Sequence, residues 1–312
     1  MTNMDLYREA LRLDIKQITY ILTIAQEGGI TKAANKLFIT QSALDQQLLK
    51  LENELGTKLF YRARPNFILT PAGEVYVDYA KRMLNLRNEA YHRIHDLADR
   101  RRGALSVAFA PERGMEMFMS VYPHFYETYP EVTVTPQEVS VRKQLELLQR
   151  DELDLGFISI RDTDIPGLNC TVLLREEFVL ITPRTHPLAE QASPPGEPLA
   201  TIDQEMLHQL RFSLIEPQST QREVIDPIFA RSGVQPDIFL ETASNRANIS
   251  MVRRGMSCSI VPYHYVKTLS DVVCFRLPGC PEWNIAACFR KGSYLSKSAR
   301  YFIELAGAFF SE

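Results

Sequence analysis

Residues 31–73 read TKAANKLFITQSALDQQLLKLENELGTKLFYRARPNFILTPAG, and the punctuation of this stretch decides the fold. Upstream, Ile15, Ile18, Ile21, Leu22 and Ala25 recur at three- and four-residue steps, a helix with one buried face, closed by Gly28 and Gly29. Thr31 is a suitable N-cap for a short second helix, in which Ala33 and Ala34 let a neighbour approach closely. A tight connection at Phe38-Ile39 leads to a third helix from Thr40 or Gln41, with Ala43, Leu44, Leu48, Leu51 and Leu55 on its apolar face and Gly56 at its end. Helix, short helix, brief turn and longer helix make a helix-turn-helix pattern. Leu59–Tyr61 and Phe67–Leu69 are β-prone and flank Arg62, Arg64, Pro65 and Asn66, so a two-stranded wing with a basic tip is expected.

Working outward, Thr70 caps and Pro71 opens a helix expected to reach about Arg100, with Tyr76, Tyr79, Ala80, Met83, Ala90, Ile94 and Leu97 at near-heptad spacing. At ~1.5 Å per residue it spans roughly 45 Å, too long for one small core and suited to packing against its twin in a dimer. Arg100–Gly103 is expected to be a hinge. Beyond it LSVAFA, VTVTPQ and LDLGFISI alternate with helices at 114–129 and 141–150, a βαβαβ unit with a parallel sheet. TVLLREEFVLITP is long enough to leave one sheet and enter another. A second α/β unit follows: helices near 203–210, 221–232 and 245–254 alternate with RFSLI, DIFLE and SCSIVP. WNIAACF returns the chain to the first unit and 296–310 closes it with a helix. The expected domains are 1–70, 71–103, a first lobe of 104–183 with 284–312, and a second lobe of 184–283. Two lobes joined by two crossovers leave a cleft suited to a small ligand.

Composition narrows the function. With 45% hydrophobic and 23% charged residues, the chain of 312 can bury sizeable cores, which excludes wholesale disorder. Its longest apolar run, IAACF, is far below the ~20 residues that cross a bilayer, so no membrane partner is expected. Residues 1–103 hold 16 Lys/Arg against 12 Asp/Glu, and residues 104–312 hold 19 against 26. A basic N-terminal third on an acidic body suits contact with a polyanion at one end. The N-terminus lacks an apolar signal region, which sets the expectation of a cytoplasmic protein. Cys170, Cys258, Cys274, Cys280 and Cys288 include no C-x-x-C pair, and reduced, buried thiols are the default. A redox role would need two of them close in space. His92 and His95 lack a third ligand, so no metal or other cofactor is expected, and Trp283 is most simply core. Enzyme motifs such as G-x-S-x-G, G-x-x-x-x-G-K, H-E-x-x-H and G-x-G-x-x-G do not occur, and no catalytic residue is assigned.

The run TKAANKLFITQSALDQQLLKLENELGTKLFYRARPNFILTPAGE resembles the DNA-binding signature of LysR-type transcriptional regulators. Ala33-Ala34, Leu37, Gln41, Ala43-Leu44, Gln47, Leu51-Glu52, Leu55-Gly56, Leu59-Phe60 and Leu69–Gly73 fall at the family spacing without a gap. DELDLGF, THPLA and RRGMSCSIVP agree in order. The resemblance implies an all-α winged helix-turn-helix, a dimerising linker helix and an α/β effector region of two periplasmic-binding-protein-like lobes, commonly in a homotetramer. It also implies an inverted-repeat operator, a small-molecule effector and, in activation, contact with RNA polymerase. A redox-sensing regulator of the same architecture, or a cytoplasmic small-molecule binding protein without a regulatory DNA role, are the alternatives.

In such a fold the N-terminal side chains of the second helix face base edges in the major groove. Candidate DNA contacts are therefore Thr31, Thr40, Gln41, Ser42, Asp45, Gln46 and Lys50, with Arg62 and Arg64 on the wing. Gln41 can pair bidentately with adenine, and Lys50 suits a phosphate. Arg64 suits phosphate or a narrow minor groove, whereas for Arg62 a surface salt bridge competes. Asp45 and Gln46 depart from the family, where a small hydroxyl residue and a basic residue are more usual. Asp45 reads a cytosine amine, repels phosphate, pairs with Lys50 or caps a helix. In the cleft, strand ends and helix N-termini favour an anion. The candidate effector residues are Pro111, Glu112, Arg113, Ser140, Gln218, Ser219, Thr220, Thr242 and Asn245.

Overall fold

In a computed structural model, residues 14–62, 67–98, 101–194 and 196–311 are described. They form two compact units, divided between Ile94 and His95. The first opens with α1 (Ile15–Glu27), α2 (Ile30–Lys36) and α3 (Gln41–Leu55), followed by strands β1 (Phe60–Arg62) and β2 (Phe67–Leu69) and by α4 (Pro71–Leu97). The Asp14 carboxylate caps α1 by accepting from Lys16 N, and Gly28 closes it at φ 62°. Thr40 caps α3 by accepting from Ala43 N, and Gly56 closes it at φ 67°, a conformation that costs glycine little. Thr31 does not cap α2, contrary to expectation: the helix begins one residue earlier, and extended Gly29 precedes it. The turn between α2 and α3 is made by Phe38 at φ 55°.

Ile21, Ile24, Ala33, Ala34, Leu44, Leu48, Leu59 and Phe60 form the core of this unit. Leu44, Leu48 and Leu51 are buried at the expected spacing on α3. Thr70 ties the wing to α4, since its hydroxyl donates to Lys58 O (2.6 Å) and accepts from Gly73 N (3.0 Å). Helix α4 stops at Leu97, short of Arg100, and the expected hinge at 100–103 is corrected: Arg102 and Gly103 already belong to the next strand.

The second unit begins with β3 (Arg102–Phe109), α5 (Arg113–Thr128), β4 (Glu131–Glu138), α6 (Val141–Gln149) and β5 (Leu155–Ile160), with β3 parallel to both β4 and β5. Strand β6 (Leu168–Pro183) is the outward crossover and β11 (Glu282–Arg290) the return. They pair antiparallel from Glu177–Glu282 to Leu168–Arg290, and β11 also pairs with β5. The far half of β6 pairs instead with β9 (Ser259–Pro262) and with β10 (Val272–Arg276), a strand not anticipated from sequence. The second lobe is completed by β7 (Arg211–Ile215) parallel to β8 (Asp237–Thr242), and by helices α7 (Arg222–Ser232) and α8 (Asn245–Arg253). Residues 204–209, expected as an α-helix, form a 3-10 turn. Helix α9 (Lys297–Ser311) packs Ala299, Phe302 and Phe310 into the first lobe's core.

Cys170 and Cys288 face each other across β6 and β11 and form a disulfide, their Cα atoms 4.2 Å apart. That corrects the expectation that the cysteines are reduced and buried; 118 residues separate the pair, and only strand register reveals it. Of the other three, Cys258 is buried, Cys274 partly buried and Cys280 exposed. Burial pushes the Cys258 thiol up to about 12 and the Cys274 thiol up to about 11. No helix among the described residues is long and apolar enough to cross a membrane.

Two outcomes follow from this packing. A Cβ on Gly73 would collide with the carbonyl oxygen of Leu59, so Gly73→Ala should cost about 1–3 kcal/mol in the chemical denaturation of the N-terminal unit. Thiolates are the reactive form, and the Cys258 and Cys274 thiols remain protonated at pH 8. Brief alkylation of the native, unreduced chain at that pH should therefore label Cys280 first, as read by peptide mass spectrometry; equal labelling of all three would contradict this packing.

Candidate functional site

Helix α3 buries Leu44, Leu48 and Leu51 and presents Gln41, Ser42, Gln46 and Lys50 as exposed side chains, with Thr31 and Thr40 exposed nearby. Thr31 Oγ1 donates to Gln41 Oε1 (3.0 Å), and the Thr40 and Ser42 hydroxyls lie 3.2 Å apart. Gln41 is thus held in place with both amide N–H donors and a second carbonyl lone pair still available. Asp45 is half-buried and pairs neither with Lys50 nor with a helix end: its Oδ1 lies 3.2 Å from Arg62 NH1 on the wing. Arg62 lies over Phe67 and 3.8 Å from Glu52 Oε2. Arg64 lies in 63–66, outside the described residues.

Glu52 was not singled out from sequence as a positioning group, yet it docks the wing. It is 2% exposed, and its Oε1 accepts from Leu59 N (2.9 Å) and Phe60 N (3.4 Å) while Lys58 lies 3.0 Å from Oε2. A buried carboxylate needs such partners, because leaving one unpaired costs several kcal/mol. The sequence signal was present: Glu52 follows Leu48 by four residues and so shares the apolar face.

In the second unit, a cavity of about 300 Å³ lies between the lobes. Of the expected residues, Pro111, Glu112, Arg113, Ser140, Gln218, Ser219, Thr220 and Asn245 line it. Thr242 does not; its hydroxyl accepts from Ser244 N (3.3 Å) at the end of β8, a correction to the sequence reading. Phe157, Ile215, Trp283, Ile285 and Phe310 supply apolar wall, and Arg142, Glu216, Gln221 and Tyr265 add polar groups that sequence reasoning missed. Arg142 was within reach of that reasoning, since it follows the cap Ser140 by two residues.

Several expected ligand contacts are already engaged across the cleft. Thr220 Oγ1 donates to Ser159 O (3.0 Å), and Arg142 Nε donates to Gln218 O (3.0 Å) while its other arm reaches Glu223 (3.3 Å). Arg113 is ion-paired with Glu176, whose other oxygen accepts from Trp283 Nε1 (2.8 Å). Burial lowers the Arg113 pKa to about 10, against opposition from Tyr265 and Glu116, so the guanidinium stays charged near neutrality. Burial, then Glu112, pushes the Tyr265 phenol well above its ordinary value, so Tyr265 is a neutral donor. Arg113 and Phe310 also line a second cavity of about 510 Å³ with His264 and Lys267. Burial, Arg113 and Lys267 together push the His264 pKa down, opposed by Glu116. Among the described residues, no group of three His, Cys, Asp or Glu side chains could hold a metal ion.

Residues 15–74 match the family described as bacterial regulatory helix-turn-helix protein, lysR family, and residues 98–311 match the LysR substrate binding domain. A probable RuBisCO transcriptional regulator of Cyanophora paradoxa is 29% identical over 261 residues, covering 81% of this chain and 77% of that one. Among solved structures, a full-length OxyR variant from Pseudomonas aeruginosa superposes with a TM-score of 0.69 at 22% identity, covering 95% of this chain and 97% of its own. Full-length CbnR complexed with its target DNA gives 0.59 at 23%, covering 94% and 99%. At these identities the two structures speak for the fold, and the two matched domains speak for the lineage. The chain belongs to the LysR family of transcriptional regulators, with a DNA-binding helix-turn-helix in its first unit and a two-lobed effector-binding domain in its second.

Proposed function

We propose that α3 reads an inverted-repeat-like operator in the major groove through Gln41, Ser42, Gln46 and Thr40, with Thr31 and Lys50 on the flanking phosphates and Arg64 on the wing. The observation that carries this reading is the exposed polar row on α3, backed by buried Leu44, Leu48 and Leu51 and capped at Thr40. Arg62 acts with Asp45, whose carboxylate takes up its charge. The cavity between the lobes receives a small-molecule effector, and its occupancy alters operator binding. Val75, Tyr79, Leu86, Ile94 and Leu97 are exposed along α4, an apolar stripe that supports a homodimer through this helix. A homotetramer acting in the cytoplasm beside RNA polymerase, as a regulator rather than an enzyme, completes the proposal and rests on the family resemblance.

The Cys170–Cys288 pair favours a second reading, in which the second unit responds to oxidation. Two thiols and one peroxide would give the disulfide and two waters, stapling the outward crossover β6 to the return β11. If so, operator affinity should differ between reduced and peroxide-treated protein, and Cys288→Ser should abolish the difference. An unchanged affinity in both states leaves the small-molecule reading alone.

Three substitutions test the DNA reading by fluorescence anisotropy on operator and scrambled duplexes at two salt concentrations. Lys50→Ala should weaken both duplexes alike and reduce the salt slope by roughly one unit, while Gln41→Ala should relax preference at one base pair. Asp45→Ser should free Arg62 for phosphate and tighten both duplexes in parallel. A loss of about 1–3 kcal/mol on the operator alone would instead assign Asp45 to cytosine readout.

A further inference from the structure

Four helices, α5, α6, α7 and α8, begin at the cavity between the lobes, and their N-termini differ in what they hold. An N-terminus offers unpaired amides and the positive end of the helix dipole. At α7 those amides are engaged locally: Gln221 N bonds Ser219 Oγ (3.3 Å), Arg222 N bonds Ser219 O (3.0 Å) and Glu223 N bonds Thr220 O (3.2 Å). At α8 they hold a carboxylate from the other lobe. Glu112, in the loop between β3 and α5, accepts from Ser244 Oγ (2.6 Å), Asn245 N (3.3 Å) and Arg246 N (3.4 Å). To reach there its backbone sits at φ 61°, ψ −98°, a conformation that suits glycine and is uncommon for glutamate. At α5 the first side chain, Arg113, is ion-paired with Glu176, and at α6 the Ser140 hydroxyl caps Lys143 N while Arg142 in the cavity wall is engaged by Gln218 O and Glu223.

Three polar groups of the wall are unspent, one of them Arg113 Nε. Asn245 and Gln221 are 3% and 7% exposed, and their side-chain carbonyl oxygens carry no hydrogen-bond partner. Buried acceptors left in this state lose free energy that a donor would restore. The starts of α7 and α8 therefore each present an unpaired acceptor to the cavity, and α8 already holds a negative charge.

We propose that Glu112 is a specificity-determining residue of this cavity: its carboxylate fills the anion seat on α8, so the effector brings at most a single acidic group, kept away from α8, and hydrogen-bond donors to Asn245 and Gln221. A dicarboxylate long enough to span the cavity is rejected, because its second charge would meet Glu112. This inference rests on the cavity being the effector site, but its test uses simple anions and needs neither effector nor DNA.

The experiment is thermal melting of the full chain in inorganic phosphate and in succinate, with ionic strength held constant by sodium chloride. Glu112→Gly suits the positive φ and empties the seat, and binding to the folded state raises the melting temperature by mass action. The variant should bind phosphate at least tenfold more tightly than the wild type, and adding Ser244→Ala should return the affinity toward the wild-type value. Equal phosphate responses of wild type and Glu112→Gly, or a gain that survives Ser244→Ala, would overturn the assignment. Should Glu112→Gly fail to fold, Glu112→Gln should show a smaller gain of the same sign, and no gain would overturn it equally. If the DNA substitutions above fail while the phosphate gain appears, the operator reading is wrong and the anion seat stands.

Discussion

The second unit depends on one buried ion pair. Arg113 and Glu176 are 9% and 5% exposed, and Trp283 completes the Glu176 hydrogen bonding. Breaking such a pair by removing one partner costs several kcal/mol, because the remaining charge is stranded away from water. The start of α5, the outward crossover β6 and the return crossover β11 must therefore meet at one place. Gly114, next to Arg113, permits this: a Cβ there would come within 2.9 Å of Phe109 Cβ. The apolar wall beside the pair includes Trp283 and Phe310, so the contact that joins the crossovers also closes the floor of the cavity.

The first unit solves a similar problem on a smaller scale. Glu52 lies on the apolar face of α3 and brings the first residues of the wing against it by accepting their amides. Arg62 then reaches back to Asp45, so the acid that departs from the family pattern has a partner within its own unit. In both units a buried carboxylate fixes an element that apolar packing alone would leave free to slide. The surfaces they organise, α3 in one case and the cleft in the other, are those proposed to meet DNA and effector.

The helix-turn-helix was legible because its signals are local. Thr40, Gly56 and the Thr70-Pro71 pair punctuate the chain within a turn of where the structure changes, and Leu44, Leu48 and Leu51 keep helical spacing. The two crossovers were legible from the length of 171–183 and from the return run at 283–289. What sequence did not disclose was set by distant partners. The disulfide joins residues 118 apart, and Glu112 finds Ser244 over a separation of 132. Arg102 and Gly103 looked like a hinge because three arginines precede a glycine, but register with Glu131 and Val132 makes them strand. The cavity residues were found by the rule that strand ends and helix starts line clefts; which of them are spent on the opposite lobe depends on geometry that no spacing encodes.

Recognition of particular DNA sequences by a symmetric assembly of this chain is the function proposed for it. Selection of bound duplexes from a random-sequence pool by the full chain, followed by sequencing, tests it most directly. Two half-sites in inverted repeat, separated by about one 10-base-pair helical turn or a multiple of it, are the predicted result. A bound pool with no sequence enriched over the input, held only by an interaction that salt weakens equally for every duplex, would contradict it.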